Sequence, residues 1–193
     1  MKSYVKKIVR SIIYILSYVI CFYYVFLVKI GVQFRSVAIS ISRYGGLFGI
    51  ELRRAFYKKM LKKFGDNVII SRGSYIVYQE CEIGDNVAIE EDCVVSLCSI
   101  GNDVILAHRV SLMSGGNQHD VDDLSVPFRY SIMPLKRVIL GDNIWIGVHA
   151  VIMSDVASGT VIGAGSVVTK KFEENTVIAG VPAKLIKFRG KCD

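Results

Sequence analysis

Ile83-Gly84-Asp85-Asn86-Val87-Ala88-Ile89-Glu90-Glu91-Asp92-Cys93-Val94-Val95 is followed, after four residues, by Ile100-Gly101-Asn102-Asp103-Val104-Ile105-Leu106. The two passages repeat one pattern: an aliphatic residue, a Gly-Asp/Asn-Asp/Asn corner, then aliphatic residues at every sixth position. The same corner occurs at Phe64-Gly65-Asp66-Asn67-Val68 and at Leu140-Gly141-Asp142-Asn143-Ile144. Ile83, Ile89 and Val95 form one six-residue series, Ile100, Leu106 and Leu112 a second, Leu140, Ile146 and Ile152 a third. A period of six is neither helical nor a simple strand alternation. It is the signature of a parallel β-helix built from six-residue sides, about 18 residues to a coil. One aliphatic residue per side points inward and stacks on its equivalents in neighbouring coils. Gly, Asn and Asp are expected at corners that need a positive φ. The class is all-β, with several coils required to enclose a core.

The motif glycines fall at 65, 84, 101 and 141. The first two intervals are one coil each, and the third is one coil plus about 22 residues. The surplus is the loop 113–137, which holds Asn117, His119, Asp120, Asp122 and Asp123. A long polar loop set into a rigid repeat is a natural place for chemistry. Two spacings are irregular. Ile76 to Ile83 is seven and implies a bulged corner; Ile152 to Ile162 is ten and implies a shortened side.

The remainder of the chain has a different character. Residues 1–63 carry thirteen Lys and Arg against one acid, Glu51, a net +12; residues 64–193 carry a net −5. Ser11 to Val28 is an uncharged run of 18, preceded by Lys6, Lys7 and Arg10 and followed by Lys29. Such a run is long enough to span a bilayer or to lie in its interface. No small-residue cleavage site follows it, against a cleaved signal peptide. After Gly45-Gly46, residues 47–64 read as a basic amphipathic helix with Phe48, Leu52, Phe56 and Met60 on one face and Gly65 as its terminator. Charges interleaved with large apolar side chains favour an anionic lipid surface over nucleic acid. The expected division is a membrane-associated segment 1–44, a basic helix 45–63 and the β-helix 64–189. Because no repeat depends on residues 1–44, they are expected to be dispensable for folding. The cysteines (Cys21, Cys81, Cys93, Cys98, Cys192) form no Cys-x-x-Cys pair, which fits a reducing compartment and no zinc site.

Gly141-Asp-Asn-Ile-Trp-Ile-Gly147, Val161-Ile-Gly-Ala-Gly-Ser-Val-Val-Thr-Lys170 and Ala179-Gly-Val-Pro-Ala-Lys184 resemble motifs of the hexapeptide-repeat acyltransferases. The similarity is strongest to the maltose and galactoside acetyltransferase group and the cell-envelope polysaccharide O-acetyltransferases, over residues 64–189. It implies a left-handed β-helix, a homotrimer and acetyl-CoA as co-substrate, with no metal. It also implies His119 as the general base, because the family's histidine lies in the extruded loop; His108 and His149 lie on the prism and are poorer candidates. Asp120, Asp122 and Asn117 are the candidates for orienting His119 or holding the acceptor. The cofactor residues implied are Trp145, Gly163, Ala164, Thr169, Lys170, Lys184 and Lys187. Lys184 and Lys187 stand where the galactoside enzyme has arginines, so the phosphate grip loses its bidentate fork.

The function expected is O-acetyl transfer from acetyl-CoA to a hydroxyl of an envelope glycan or its lipid-linked precursor, at the cytoplasmic membrane face. A small-sugar or serine O-acetyltransferase is the alternative within the fold, and a non-catalytic scaffold is a second. A zinc or iron carbonic anhydrase of this fold needs a close histidine pair, which His108, His119 and His149 do not supply.

Overall fold

The computed structural model describes residues 2–114, 118–131 and 133–190. Three helices precede the repeat: α1 (Lys2–Lys29), α2 (Phe34–Ser42) and α3 (Gly46–Met60). The first coil consists of β1 (Lys63–Phe64), β2 (Ile69–Ile70) and β3 (Tyr75–Ile76), the second of β4 (Glu82–Ile83), β5 (Ala88–Ile89) and β6 (Val94–Val95). The third holds β7 (Cys98–Ile100), β8 (Val104–Leu106) and β9 (Ser111–Leu112), the fourth β10 (Val138–Leu140), β11 (Ile144–Ile146) and β12 (Val151–Ile152). Then β13 (Val161–Ile162) and β14 (Val167–Val168) stack on the fourth, and the hairpin β15 (Thr176–Gly180) and β16 (Ala183–Phe188) closes the end.

Equivalent strands pair in parallel into three sheets, one per prism side. The first sheet is β1-β4-β7-β10, the second runs β2-β5-β8-β11-β13-β15-β16, and the third is β3-β6-β9-β12-β14. The register puts the six-residue aliphatics on top of one another: Ile83 on Ile100 and Leu140, Ile89 on Leu106 and Ile146, Val95 on Leu112 and Ile152. All nine are buried. The seven-residue interval is taken up by a turn at Gln79–Glu80, and the ten-residue one by a side reduced to a single bridge, Leu140 to Val156.

The corners differ from the expectation in one respect. In each Gly-Asp/Asn-Asp/Asn motif the third residue carries the positive φ (Asn67 53°, Asn86 56°, Asp103 57°, Asn143 55°), not the glycine. The glycine is required for close stacking: a Cβ on Gly84 would lie 2.5 Å from Gly101 O, and one on Gly101 2.6 Å from Gly141 O. The middle residue builds a ladder along the edge, since Asp85 N donates to Asn102 Oδ1 (2.9 Å) and Asn102 N to Asp142 Oδ1 (2.6 Å).

The open end of the prism would leave backbone groups of the first coil without partners. Helices α2 and α3 cover it. Arg53, fully buried on α3, donates through Nε to Ile70 O (2.8 Å) and through Nη1 to Tyr44 O (2.8 Å), Ile41 O (3.2 Å) and Ser42 O (3.4 Å). Burial lowers its pKa. Tyr57 is equally buried and accepts from Ile76 N through its hydroxyl (3.1 Å), and burial pushes its phenol upward. Arg54 Nε donates to Val68 O (3.0 Å). The basic residues of α3 are therefore partly structural caps and not all a surface charge.

Two sequence expectations are corrected here. The helix over 47–64 stops at Met60, because Lys63–Phe64 pairs with Glu82–Ile83 and Gly65 packs beneath the next coil instead of ending a helix. Residues 1–44 do not stand apart from the repeat, because α2 belongs to the continuous core, which argues against their being dispensable for folding. Phe34, Val37, Ala38 and Ile41 are buried, and Phe34 stacks on Phe56 at 5.6 Å. The spacing of those four, i, i+3, i+4 and i+7, was the signal for α2. Deleting residues 1–44 is expected to lower stability by several kcal/mol, at about 1.5–3 kcal/mol per large apolar side chain exposed or lost. Denaturant unfolding of the truncated chain measures this; an unchanged midpoint would refute it.

Candidate active site

The loop leaves the prism after β9 and returns at β10, at the edge between the third and first sheets. Its return is fastened by Arg137, whose Nη1 donates to Cys98 O (2.8 Å) and Ser99 Oγ (3.2 Å). The two limbs are joined where Met133 N donates to Gln118 O (3.1 Å). Beside that junction lies His119, exposed, with its ring edge-on to Phe128 at 6.4 Å. Its Nδ1 is 2.6 Å from Ser131 O. A carbonyl oxygen only accepts, so Nδ1 carries a proton, and in the neutral imidazole the lone pair is then on Nε2. That is the tautomer required to take a proton from a hydroxyl.

The orienting group for the imidazole is thus a backbone carbonyl and not an aspartate. Asp120 acts one step away: its N–H donates to Ser131 Oγ (2.8 Å), and its Oδ1 accepts from Asp122 N (3.0 Å) and Asp123 N (3.3 Å), holding the turn. Asp122 is exposed, while the Asp123 carboxyl is held below the usual range by the hydroxyl and N–H of Ser125. Asn117 lies outside the described residues. Ser131, which meets both His119 and Asp120, carries no sequence signal. It lies twelve positions from His119 in a segment without periodicity.

The other two histidines are occupied differently. His149 holds a corner with φ 60°. His108 bridges two glutamates of the preceding coil, Nδ1 to Glu90 at 2.6 Å and Nε2 to Glu91 at 2.9 Å. Among the described residues no group of three His, Cys, Asp or Glu is placed to hold a metal ion.

The residues expected to contact the cofactor fall on two edges. Trp145 points outward from β11 and is 56% exposed, opposite Val161 in register. Gly163, Ala164 and Gly165 form the next corner, between the second and third sheets. Nothing lies within 4 Å of the Cβ direction at Gly165, so this edge is open and free of side chains there. Lys184 and Lys187, on β16, extend the same sheet beyond β15 and are exposed. Thr169 and Lys170 follow β14 on the other edge, where the loop emerges two coils earlier; Lys170 Nζ sits 5.5 Å from the Phe172 ring. One chain therefore brings Trp145, the glycine corner and the two C-terminal lysines together. His119 projects from a different edge.

Known proteins share this arrangement of coils. The galactoside O-acetyltransferase of Escherichia coli is 33% identical over 149 residues, covering 72% of this chain and 69% of its own. A putative lipopolysaccharide biosynthesis O-acetyltransferase of the same organism is 30% identical over 123 residues, covering 60% of this chain and 61% of its own. A galactoside acetyltransferase solved in complex with coenzyme A superposes with a TM-score of 0.68 at 31% identity, covering 79% of this chain and 78% of that one. No protein-family model matches the chain. The chain belongs to the hexapeptide-repeat acetyltransferase family that includes galactoside O-acetyltransferase, enzymes of the left-handed β-helix fold. It is an acetyltransferase, and acetyl-CoA is its co-substrate.

Proposed function

We propose that the protein transfers an acetyl group from acetyl-CoA to a hydroxyl of a cell-envelope glycan or its lipid-linked precursor, with His119 as general base. The observation that carries the mechanism is the bond from Nδ1 to Ser131 O, which leaves Nε2 free as a base. As the acceptor oxygen attacks the thioester carbonyl, Nε2 takes the hydroxyl proton. A tetrahedral oxyanion forms, then collapses with cleavage of the C–S bond. The imidazolium returns its proton to the departing CoA sulfur, giving ester, CoA thiol and neutral His119. Asp120 and Asp122 are proposed to help hold the acceptor beside the imidazole, with Asn117.

The open edge at Ala164–Gly165 suits the pantetheine arm, with Gly163 packed on the next coil behind it, Trp145 alongside and Lys184 and Lys187 toward the phosphates. Because His119 and this corner occupy different edges of one chain, we propose a homotrimer in which the loop of one subunit meets the corner of the next. An outward row on the second sheet supports such packing: Ile69, Ile105 and Trp145, 40%, 43% and 56% exposed, lie along one register. A glycan of the envelope, in preference to a free small sugar, is supported by the relative named for lipopolysaccharide biosynthesis and by the apolar, basic N-terminal segment. That segment is proposed to hold the enzyme on the cytoplasmic face of the membrane, where acetyl-CoA is available.

Mass spectrometry of surface glycans from cells with and without the protein tests the acceptor: loss of an acetyl ester is expected, and unchanged glycan acetylation would refute it. Lys184→Ala with Lys187→Ala should raise KM for acetyl-CoA several-fold with little change in kcat. Charges on distant phosphates act equally in ground and transition states. A fall in kcat at constant KM would move these lysines to the acceptor.

A further inference from the structure

Helix α1 has two faces. Ser17, Cys21 and Val25 form a buried stripe, and Ser17 Oγ donates to Phe48 O on α3 (3.2 Å). On the opposite side Ile8, Ile12, Ile15, Leu16, Val19, Phe22, Tyr23 and Phe26 form an apolar stripe, each between 44% and 62% exposed. At about 100° per residue these eight fall within one third of the helix circumference, diametrically across from the buried stripe. No charged residue interrupts them between positions 8 and 26, and Lys6, Lys7 and Arg10 project from the opposite half of the helix.

The buried stripe is docked on a charged neighbour. Arg10, Tyr14 and Ile15 line a groove with Leu47 and Glu51; Tyr14 and Tyr18 line another with Glu51, Arg54, Lys58 and Lys59. Lys59 Nζ lies 5.0 Å from the Tyr18 ring centroid and 4.8 Å from that of Phe22. So α1 packs along α3, and the middle of the apolar run sits beside four ionisable side chains of α3. On α3 the stripe that meets α1 (Phe48, Glu51, Ala55, Lys59) is roughly opposite the one that meets the first coil (Arg53, Tyr57). The layers are therefore prism, α3, α1, with the apolar stripe outermost.

We propose that α1 is a monotopic anchor: it lies in the plane of an anionic bilayer with the Ile8–Phe26 stripe embedded, and it does not cross. Spanning would carry Glu51, Arg54, Lys58 and Lys59 into hydrocarbon, where ionisable side chains are strongly disfavoured. Lying flat keeps them at the headgroups, and the exposed Lys6, Lys7, Arg10 and Lys29 of α1 complement anionic lipid. The prism then stands end-on, with its capped end toward the membrane. This rests on the membrane association proposed above, and the test separates the two.

The test uses the full chain carrying Cys192→Ser, with a cysteine placed at either end of α1, Tyr4→Cys or Val32→Cys. A membrane-impermeant maleimide is applied to cells stripped of their outer layers, then to the same cells lysed without detergent. Neither cysteine should react before lysis and both should react after it. Reaction of Tyr4→Cys from outside would mean that α1 crosses, and would overturn the proposal while leaving membrane association intact. In parallel, Ile12→Glu with Val19→Glu should weaken cosedimentation with phosphatidylglycerol vesicles about tenfold or more, with an unchanged melting temperature. If the unaltered chain fails to cosediment, the membrane reading itself fails. If the double variant keeps full vesicle binding but changes oligomeric mass, the stripe is covered by a second copy, and the proposal is wrong.

Discussion

His119→Ala is expected to slow acetyl transfer by roughly 10²–10⁴ while KM for acetyl-CoA and the melting temperature stay close to those of the unaltered protein. The size of the effect follows from removing the group that takes the acceptor's proton as the C–O bond forms. Its confinement to kcat follows from position. His119 is exposed on a loop outside the stacked core, and among the described residues its ring meets Ser131 O and Phe128. His119→Gln is a sharper control, since an amide can still donate to Ser131 O but presents no basic nitrogen. It should be as slow as the alanine variant. Steady-state kinetics with a soluble glycan acceptor decides the matter: near-normal turnover in either variant would remove His119 from the mechanism and favour a scaffold role for the loop.

Arg53→Met should be the most damaging single change to stability, costing on the order of 3–5 kcal/mol. The substitution keeps much of the volume but strips donors from Ile70 O in the first coil and from Ile41 O, Ser42 O and Tyr44 O in the segment that precedes α3. Each buried acceptor left without a partner costs about 1–3 kcal/mol, partly offset because a desolvated guanidinium is no longer buried. Arg53→Lys retains the charge but reaches fewer of these oxygens, and should fall between. Denaturant midpoints measure both; a loss below about 0.5 kcal/mol for Arg53→Met would place it among ordinary surface substitutions, and the end-cap account would be wrong.

The repeat was legible because its physics is local and periodic. Every sixth aliphatic residue, from Ile83 to Ile152, must face inward if successive coils stack in register. The interval from Gly101 to Gly141 likewise located the loop by arithmetic alone. The corners were read less completely. Composition marked them, but whether Gly84 or Asn86 turns the chain depends on how near the next coil lies, which is a distance between residues seventeen apart. Helix α2 carries a helical pattern in Phe34, Val37, Ala38 and Ile41, but at nine residues it is short and its burial depends on α3 and the first coil arriving from later in the chain. Arg53 read as one more cation on a basic helix, since nothing in Arg53-Arg54 distinguishes the side chain buried against four carbonyls from the one beside it that pairs with Glu51 at 3.1 Å.

By itself, then, the sequence determined a parallel β-helix, the place where a loop interrupts it, and the histidine in that loop. It also determined that the first 63 residues are basic and apolar. Only the tertiary structure decided which ring nitrogen of His119 is held, because that depends on Ser131 O arriving from the far limb of the loop. The tertiary structure likewise decided that α1 has one face docked and one bare. An uncharged run of 18 residues reads alike from every side until a neighbouring helix covers one of them, and only then does the run acquire a direction relative to its surroundings.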